Sequence, residues 1–331
     1  MELHWLQFTW LILTALLLSV FIIMGGFDFG EGMLCAFSKN KKYRDSLIKN
    51  ILPYWDANQV WLITAGGALF AAFPVAYADI LSKMYIPVML LLVFLVVRVI
   101  AIEFYFYEDS LWWRNLCAWA LSVSSIICVV LIGIALGSIF SGEVLLQREN
   151  FVKNFLRLFT PFSVASALLC FCFFGVQGSL FASIKSGGDS ELKAIFNKSA
   201  NKMLFGLLLT FVIFAGVLLW SYRFNSSLTC IFLVACYIPL RIASRLMRKN
   251  NVKGTFICTS LFAFITVFSL VFLAFPYIIP PMIDGSTNGL SILSASSSIK
   301  TLKIMLLVAS VGVPLAIGYN VYAHVVFSRK R

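Results

Sequence analysis

The sequence predicts an all-α integral membrane protein of about nine transmembrane helices, on three observations. Hydrophobic residues make up 61% of the chain and charged residues 12%, with a mean hydropathy of +0.94, far from the usage of soluble domains. Apolar runs long enough to cross a hydrocarbon core of about 30 Å occur near 6–37, 57–77, 85–103, 117–141, 161–184, 203–221, 228–247, 255–275 and 303–327. Basic residues concentrate in alternate connections between these runs. With no soluble insertion, low-complexity tract or internal repeat, residues 1–331 read as a single membrane domain.

The first run lacks a cleavable signal pattern. Met1-Glu2-Leu3-His4-Trp5 has no basic n-region, and "GGFDFGEG" continues the segment in polar residues instead of ending it at a small-residue cleavage site, so it is expected to be retained. It carries Asp28 and Glu31 among Gly25, Gly26, Gly30 and Gly32. The second run begins within "PYWDANQVWLITAGGALFAAFP", residues 53–74, which puts Asp56 beside Trp55 one turn inside an apolar span. Gly66 and Gly67 follow, and the glycines of the two helices predict close backbone approach around Asp28 and Asp56. The third run ends in "VVRVIAIEFYF", with Arg98 and Glu103. The spans from 161 to 327 hold almost no charge. Their longest connection, 276–302, begins "PYIIPPMIDGSTNG", whose Pro and Gly residues end the eighth helix in an irregular loop, read as an ordered connector. Trp5, Trp10, Trp55, Trp112 and Trp113 fall where interfacial aromatic belts belong.

The connections 38–56, 104–116, 185–202 and 241–254 and the C-terminal tail hold 18 of the 26 Lys and Arg residues; the opposite connections hold seven, and Arg98 is the remainder. The positive-inside rule then places the N-terminus outside and the C-terminus in the cytoplasm. The net charge of +12 is therefore a topology signal and not the footprint of a nucleic-acid partner. The eight cysteines lie in apolar spans without a C-x-x-C pair and read as small core hydrophobes, with no metal site. The two histidines, His4 and His324, lie near opposite ends of the chain and are too few for a set of bis-imidazole haems, so neither is expected to bind haem.

Ionisable groups inside a bilayer are expensive and mark candidate sites. Five stand out: Asp28, Glu31, Asp56, Arg98 and Glu103, all in the cytoplasmic half by the topology above. Asp28 and Glu31, at i and i+3, share a helix face, whereas Arg98 and Glu103, five residues apart, diverge by about 140°. Arg98 must therefore find its counter-ion on another helix: Asp28, Glu31 or Asp56. Two readings compete, a set of interhelical ion pairs that fixes packing and a proton entry along closely spaced carboxylates.

The stretches "GGFDFGEGML", "YWDANQVWLITAGGALFAAFPVAYA", Arg98 to Glu103, and "AFPYIIPP" with its polar loop resemble subunit II of cytochrome bd-type quinol oxidases, including the cyanide-insensitive branch. The likeness runs from the first helix to the last, in a chain at the short end for the family. It implies two four-helix bundles plus one peripheral helix, and a heterodimer with a homologous subunit I that carries haem b, haem d and the quinol-oxidising loop. No catalytic residue is then expected in this chain. The complex would oxidise quinol and reduce O2 to water in the bacterial cytoplasmic membrane. Protons drawn from the cytoplasm, with those of quinol released outside, would make it electrogenic without a pump. Asp56, Asp28, Glu103 and Arg98 match a cytoplasmic proton pathway, with Trp55, Asn58 and Gln59 as its lining; Glu31 stands where the family commonly has an uncharged residue. Small accessory subunits and a structural quinone or lipid stay open on the sequence.

A secondary transporter is the competing class, since glycine-rich helices with buried charges also describe such folds. Interrupted helices in corresponding halves with charges near the midplane are its expected mark, and here the charges cluster toward one surface. A purely structural scaffold subunit is the third reading.

Overall fold

The computed structural model describes residues 4–37, 40–145, 151–221, 226–282 and 287–329. Lys39, Arg148, Arg223, Lys330 and Arg331 lie outside the described residues, as do the side chains of Lys153, His324 and Arg329. Thirteen α-helices dominate: α1 Trp5–Leu34, α2 Lys41–Ile51, α3 Trp55–Ala72, α4 Pro74–Lys83, α5 Tyr85–Phe104, α6 Leu111–Ser141, α7 Phe151–Arg157, α8 Pro161–Lys185, α9 Ser190–Ser221, α10 Ser226–Arg248, α11 Val252–Ala274, α12 Ile292–Ala295 and α13 Ile299–Arg329. A short antiparallel pair, β1 Tyr277–Ile279 and β2 Leu290–Ser291, precedes α12.

Among the described residues, eight helices are long and apolar enough to cross a membrane. The run near 57–77 is different. Its helix, α3, stops at Ala72, because Pro74 has no N–H to donate and clashes with the preceding turn; the chain turns at Phe73 (φ −133°, ψ 62°) and restarts as α4 with Pro74 in its first turn. The carbonyls freed by this break are taken up: Ser297 N donates to Ala72 O at 2.9 Å and Ser297 Oγ to Ala71 O at 2.7 Å.

Helix α1 opens with a reciprocal cap, in which His4 Nδ1 accepts from Leu6 N at 3.2 Å and Gln7 Oε1 accepts from His4 N at 3.0 Å. Its Gly26 and Gly30 meet α8, and at Gly30 the two backbones touch. A Cβ added at Gly30 would lie 1.9 Å from Phe174 O, and one at Gly178 2.2 Å from the carbonyl carbon of Gly30. The expectation that Gly66 and Gly67 bring α1 and α3 together fails, since a Cβ at either would meet nothing within 4 Å. Tight packing needs a small residue pressed against its neighbour; Gly67 is exposed, and Gly66 lines an apolar cavity between α1 and α3 instead of a contact.

Helices α8, α9, α10 and α11 form one closed four-helix group; α1, α3, α5 and α6 form a second, packed through the pairs α1–α3, α1–α6 and α5–α6. The peripheral helix, α13, leans on α1 and α3 near its start, where Trp10 Nε1 donates to Leu302 O at 3.1 Å. Beyond that it exposes Leu307, Val308, Val311, Leu315 and Tyr319, as a lipid-bathed helix does.

The two ends differ. Asn40 caps α2, which sinks Leu47, Ile48 and Ile51 and leaves Lys41, Lys42 and Lys49 outside. Lys42 pairs with Asp189 of the α8–α9 connection, and Arg114, at the start of α6, pairs with Asp45 of α2 at 3.0 Å. Three of the basic connections, 38–56, 104–116 and 185–202, thus converge at one end. At the other, Gln7 Nε2 donates to Ser296 Oγ at 2.6 Å, so the 276–302 connection packs beside the start of α1. Of the cysteines, none is bridged; Cys230 alone is exposed, and the others are buried or half-buried.

Candidate functional site

Arg98 finds its counter-ion on α1. Its Nη2 donates to Asp28 Oδ1 at 2.5 Å, and both residues are 0% exposed. The guanidinium lies 4.3 Å from the centre of the Phe29 ring, so the cation is held by a carboxylate and an aromatic face together. Asn58 of α3, also buried, lies against Asp28 without completing a hydrogen bond of normal geometry.

Glu31, one turn nearer the basic end, is likewise fully buried, and its Oε1 accepts from Asn50 Nδ2 at 2.8 Å. Asn50 comes from α2, where it shares the buried face with Leu47 and Ile51. It escaped the sequence reading because it sits in a basic connection; the signal was there in the 3.6-residue spacing of Tyr43, Leu47, Asn50 and Ile51.

Asp56 and Glu103 stand apart from these groups. Both are exposed on this chain, and Trp55 Nε1 donates to Glu103 Oε1 at 2.9 Å, tying α3 to α5. Asp56 is followed on α3 by exposed Ile63, Gly67 and Phe70, and Glu103 is preceded on α5 by exposed Leu92, Val96 and Ile100. Each carboxylate therefore ends an uncovered apolar helix face. The single layer that five charges suggested is three separate arrangements: a buried ion pair, a buried carboxylate on an amide, and two surface carboxylates.

The start of α3 is held firmly. Tyr54 packs edge-on to Phe27 and Phe181, whose rings stack at 4.1 Å, and its hydroxyl accepts from Lys185 Nζ at 3.1 Å. Several buried polar atoms of the ion pair and of α3 have no protein hydrogen-bond partner among the described residues: Asp28 Oδ2, Arg98 Nε and Nη1, both amide atoms of Asn58, Gln59 Nε2 and Trp61 Nε1. Such groups are where internal water binds. Trp61 was not singled out by its sequence context, which is that of any interfacial tryptophan.

Outside the spans, burial pushes the Tyr43 hydroxyl well above its ordinary range, reinforced by Cys35 and Glu31. Its hydrogen bond to Lys42 holds the Asp189 carboxyl below the usual carboxylate range, and the same bond raises Lys42. No group of three or more metal-ligating side chains occurs among the described residues.

A family model described as cytochrome bd terminal oxidase subunit II matches residues 6–327. The chain is 32% identical over 330 residues to cytochrome bd ubiquinol oxidase subunit 2 of Bacillus subtilis (strain 168), covering 97% of this chain and 95% of that one. It is 28% identical to cytochrome bd-I ubiquinol oxidase subunit 2 of Escherichia coli (strain K12), covering 96% and 93%. A bd oxidase structure from Geobacillus thermodenitrificans shares the fold, with a TM-score of 0.79 at 17% identity over 99% of this chain and 100% of that one. The helical groups and the match over nearly the whole length agree: the chain belongs to the cytochrome bd terminal oxidase subunit II family.

Proposed function

We propose that this chain is the second subunit of a terminal oxidase that oxidises quinol and reduces O2 to water in the bacterial cytoplasmic membrane, and that Asp56 relays protons at its seam with subunit I. The observation that carries the relay is the placement of Asp56 and Glu103, each exposed at the end of an apolar face on α3 or α5. An apolar face flanked by carboxylates suits a membrane partner better than lipid tails, because a covering helix can supply polar groups to the charged end. Subunit I is that partner, and haem b and haem d belong to it; His4 of this chain spends its Nδ1 on a helix cap.

With the basic connections facing the cytoplasm, the N-terminus lies outside. Protons enter from the basic end, meet Asp56 one turn above it, and pass toward the haems, while quinol releases its own protons outside. The potential then arises without pumping. Trp55 fixes Glu103 by its indole N–H, and Asn58 and Gln59 offer polar groups along the same helix. Asp28 and Arg98 act differently: a closed ion pair with both partners buried favours holding α1 to α5, the scaffold part of the subunit's role. Glu31, hydrogen-bonded to Asn50, belongs with that buried set.

An apolar cavity of about 230 Å³ opens between α1, α3, α6, α11 and β1, lined by Leu11, Leu62, Leu69, Phe140, Val271 and Ile278. It is smaller than ordinary small-molecule sites and fits a stretch of hydrocarbon chain from a lipid or quinone tail.

Asp56→Asn tests the relay. It keeps shape and hydrogen bonding but cannot take up and release a proton, so quinol-dependent oxygen uptake and potential generation should fall while haem content and assembly persist. Asp56→Glu should keep part of the activity. Wild-type turnover in Asp56→Asn would leave only the scaffold role.

A further inference from the structure

The basic end holds a pocket that neither the relay nor the buried ion pair uses. It encloses about 400 Å³ between α2 and the start of α6. Lys41, Arg44 and Arg114 line it together with Tyr105, Asn115 and Trp119.

Its cations are built in. Arg44 and Arg114 are each 7% exposed. Arg44 Nη1 donates to Asn115 Oδ1, which helps fix the guanidinium in place. Arg114 is held by Asp45 at 3.0 Å and Asp109 at 2.5 Å and lies over the Tyr105 ring at 5.3 Å. Its Nε is buried without a protein hydrogen-bond partner among the described residues. Lys41, exposed at the mouth, forms no ion pair among the described residues. The lining holds three cations and no carboxylate.

The other side of the pocket is apolar. Leu111, Asn115 and Trp119 follow one another at i, i+4 and i+8, so they line one face of α6. Leu111 is 73% exposed and Trp119 51%, and Trp119 lies about 12 Å further along the helix axis. The polar end therefore sits at the membrane boundary and the indole within reach of acyl chains. A soluble phosphate would have no use for that wall, whereas basic pockets at the cytoplasmic ends of membrane helices take anionic headgroups.

We propose that this pocket binds an anionic glycerophospholipid, its phosphodiester on Lys41 and Arg44 and one acyl chain along Trp119. Guanidinium suits a phosphate better than ammonium does, because its planar N–H groups match two oxygens at once. The proposal stands independently of the relay.

The test uses the assembled oxidase, purified in detergent and mixed with phosphatidylglycerol or phosphatidylcholine, with lipid copies per complex counted by native mass spectrometry. Phosphatidylglycerol should be retained over phosphatidylcholine and should resist millimolar inorganic phosphate. Lys41→Glu and Arg44→Gln should each weaken retention about tenfold, and Lys49→Glu, on α2 but outside the pocket, should leave it unchanged. Lys41 is exposed, so Lys41→Glu folds and decides alone if Arg44→Gln fails to assemble. Equal retention in wild type and Lys41→Glu would overturn the proposal, as would equal retention of the two lipids. Displacement by inorganic phosphate would overturn it in favour of a soluble anion.

Discussion

Arg98→Ala strands the Asp28 carboxylate inside the helix bundle. The two groups meet at 2.5 Å with neither exposed. Removing one partner of such a buried pair costs about 3–5 kcal/mol, most of it the charge left behind. Loss of the guanidinium over Phe29 adds about 0.5–2 kcal/mol. Asp28→Asn leaves Arg98 an acceptor but no counter-charge and falls in the lower part of the first range. The double variant Asp28→Asn/Arg98→Gln strands no charge and keeps an amide-to-amide hydrogen bond, which is worth about 1 kcal/mol. It should therefore be less damaging than the singles Asp28→Asn and Arg98→Gln added together, a coupling of about 2 kcal/mol or more in the double-mutant cycle that those singles close. The assay is the fraction of oxidase that stays assembled with haem after graded heating, compared across the variants. A double variant as damaging as the two singles added together would refute the pairing.

Three further outcomes follow from the packing. Gly178→Ala puts a methyl group 2.2 Å from the Gly30 carbonyl carbon and should abolish or strongly reduce assembled complex on size-exclusion chromatography, whereas Gly216→Ala, with nothing within 4 Å, should not. Ser297→Ala removes the hydroxyl that caps Ala71 O and should lower stability by about 1 kcal/mol, read as a small downward shift in melting temperature with turnover unchanged. The Lys42–Asp189 link is pH-bounded. Asp189 is depressed, so its contribution is present above the ordinary Asp value of about 3.9 and is lost as pH falls further; Lys42 is raised, so its contribution is present below about 10.4 and is lost as pH rises beyond. Hydrogen exchange in residues 186–190 should speed up outside that window and also in high salt; exchange that is flat with pH would remove the link.

The spans were readable because about 20 apolar residues have little other use in a chain, and the break after Ala72 was written in Pro74. The partner of Arg98 was narrowed to three carboxylates but not chosen, since helix periodicity tells which way a side chain points on its own helix and not which helix stands opposite. Asp56 looked interior for the same reason: its place along α3 is fixed by sequence, its exposure by neighbours that never cover it. Helix α2 hid in a connection whose lysines dominate its average character, although Leu47, Ile48 and Ile51 gave it a buried face. Gly66 and Gly67 misled because glycine content marks a capacity for close approach and not whether a neighbour fills the space, while Gly178, between Gln177 and Ser179, carries the contact.

The backbone contact between Gly30 and Gly178 also bears on mechanics. Side chains at an ordinary helix interface can change rotamers and let one element slide a little along another, which is how shear motions proceed. Here α1 belongs to one four-helix group and α8 to the other, and main chain lies directly on main chain at their junction. No side chain stands between them to adjust, so a displacement along the seam must lift the two helices apart. Rocking of one half against the other, on which alternating-access carriers depend, would open that seam at every cycle. The subunit is built as one stiff block, suited to holding the oxidase's other subunit at a fixed position.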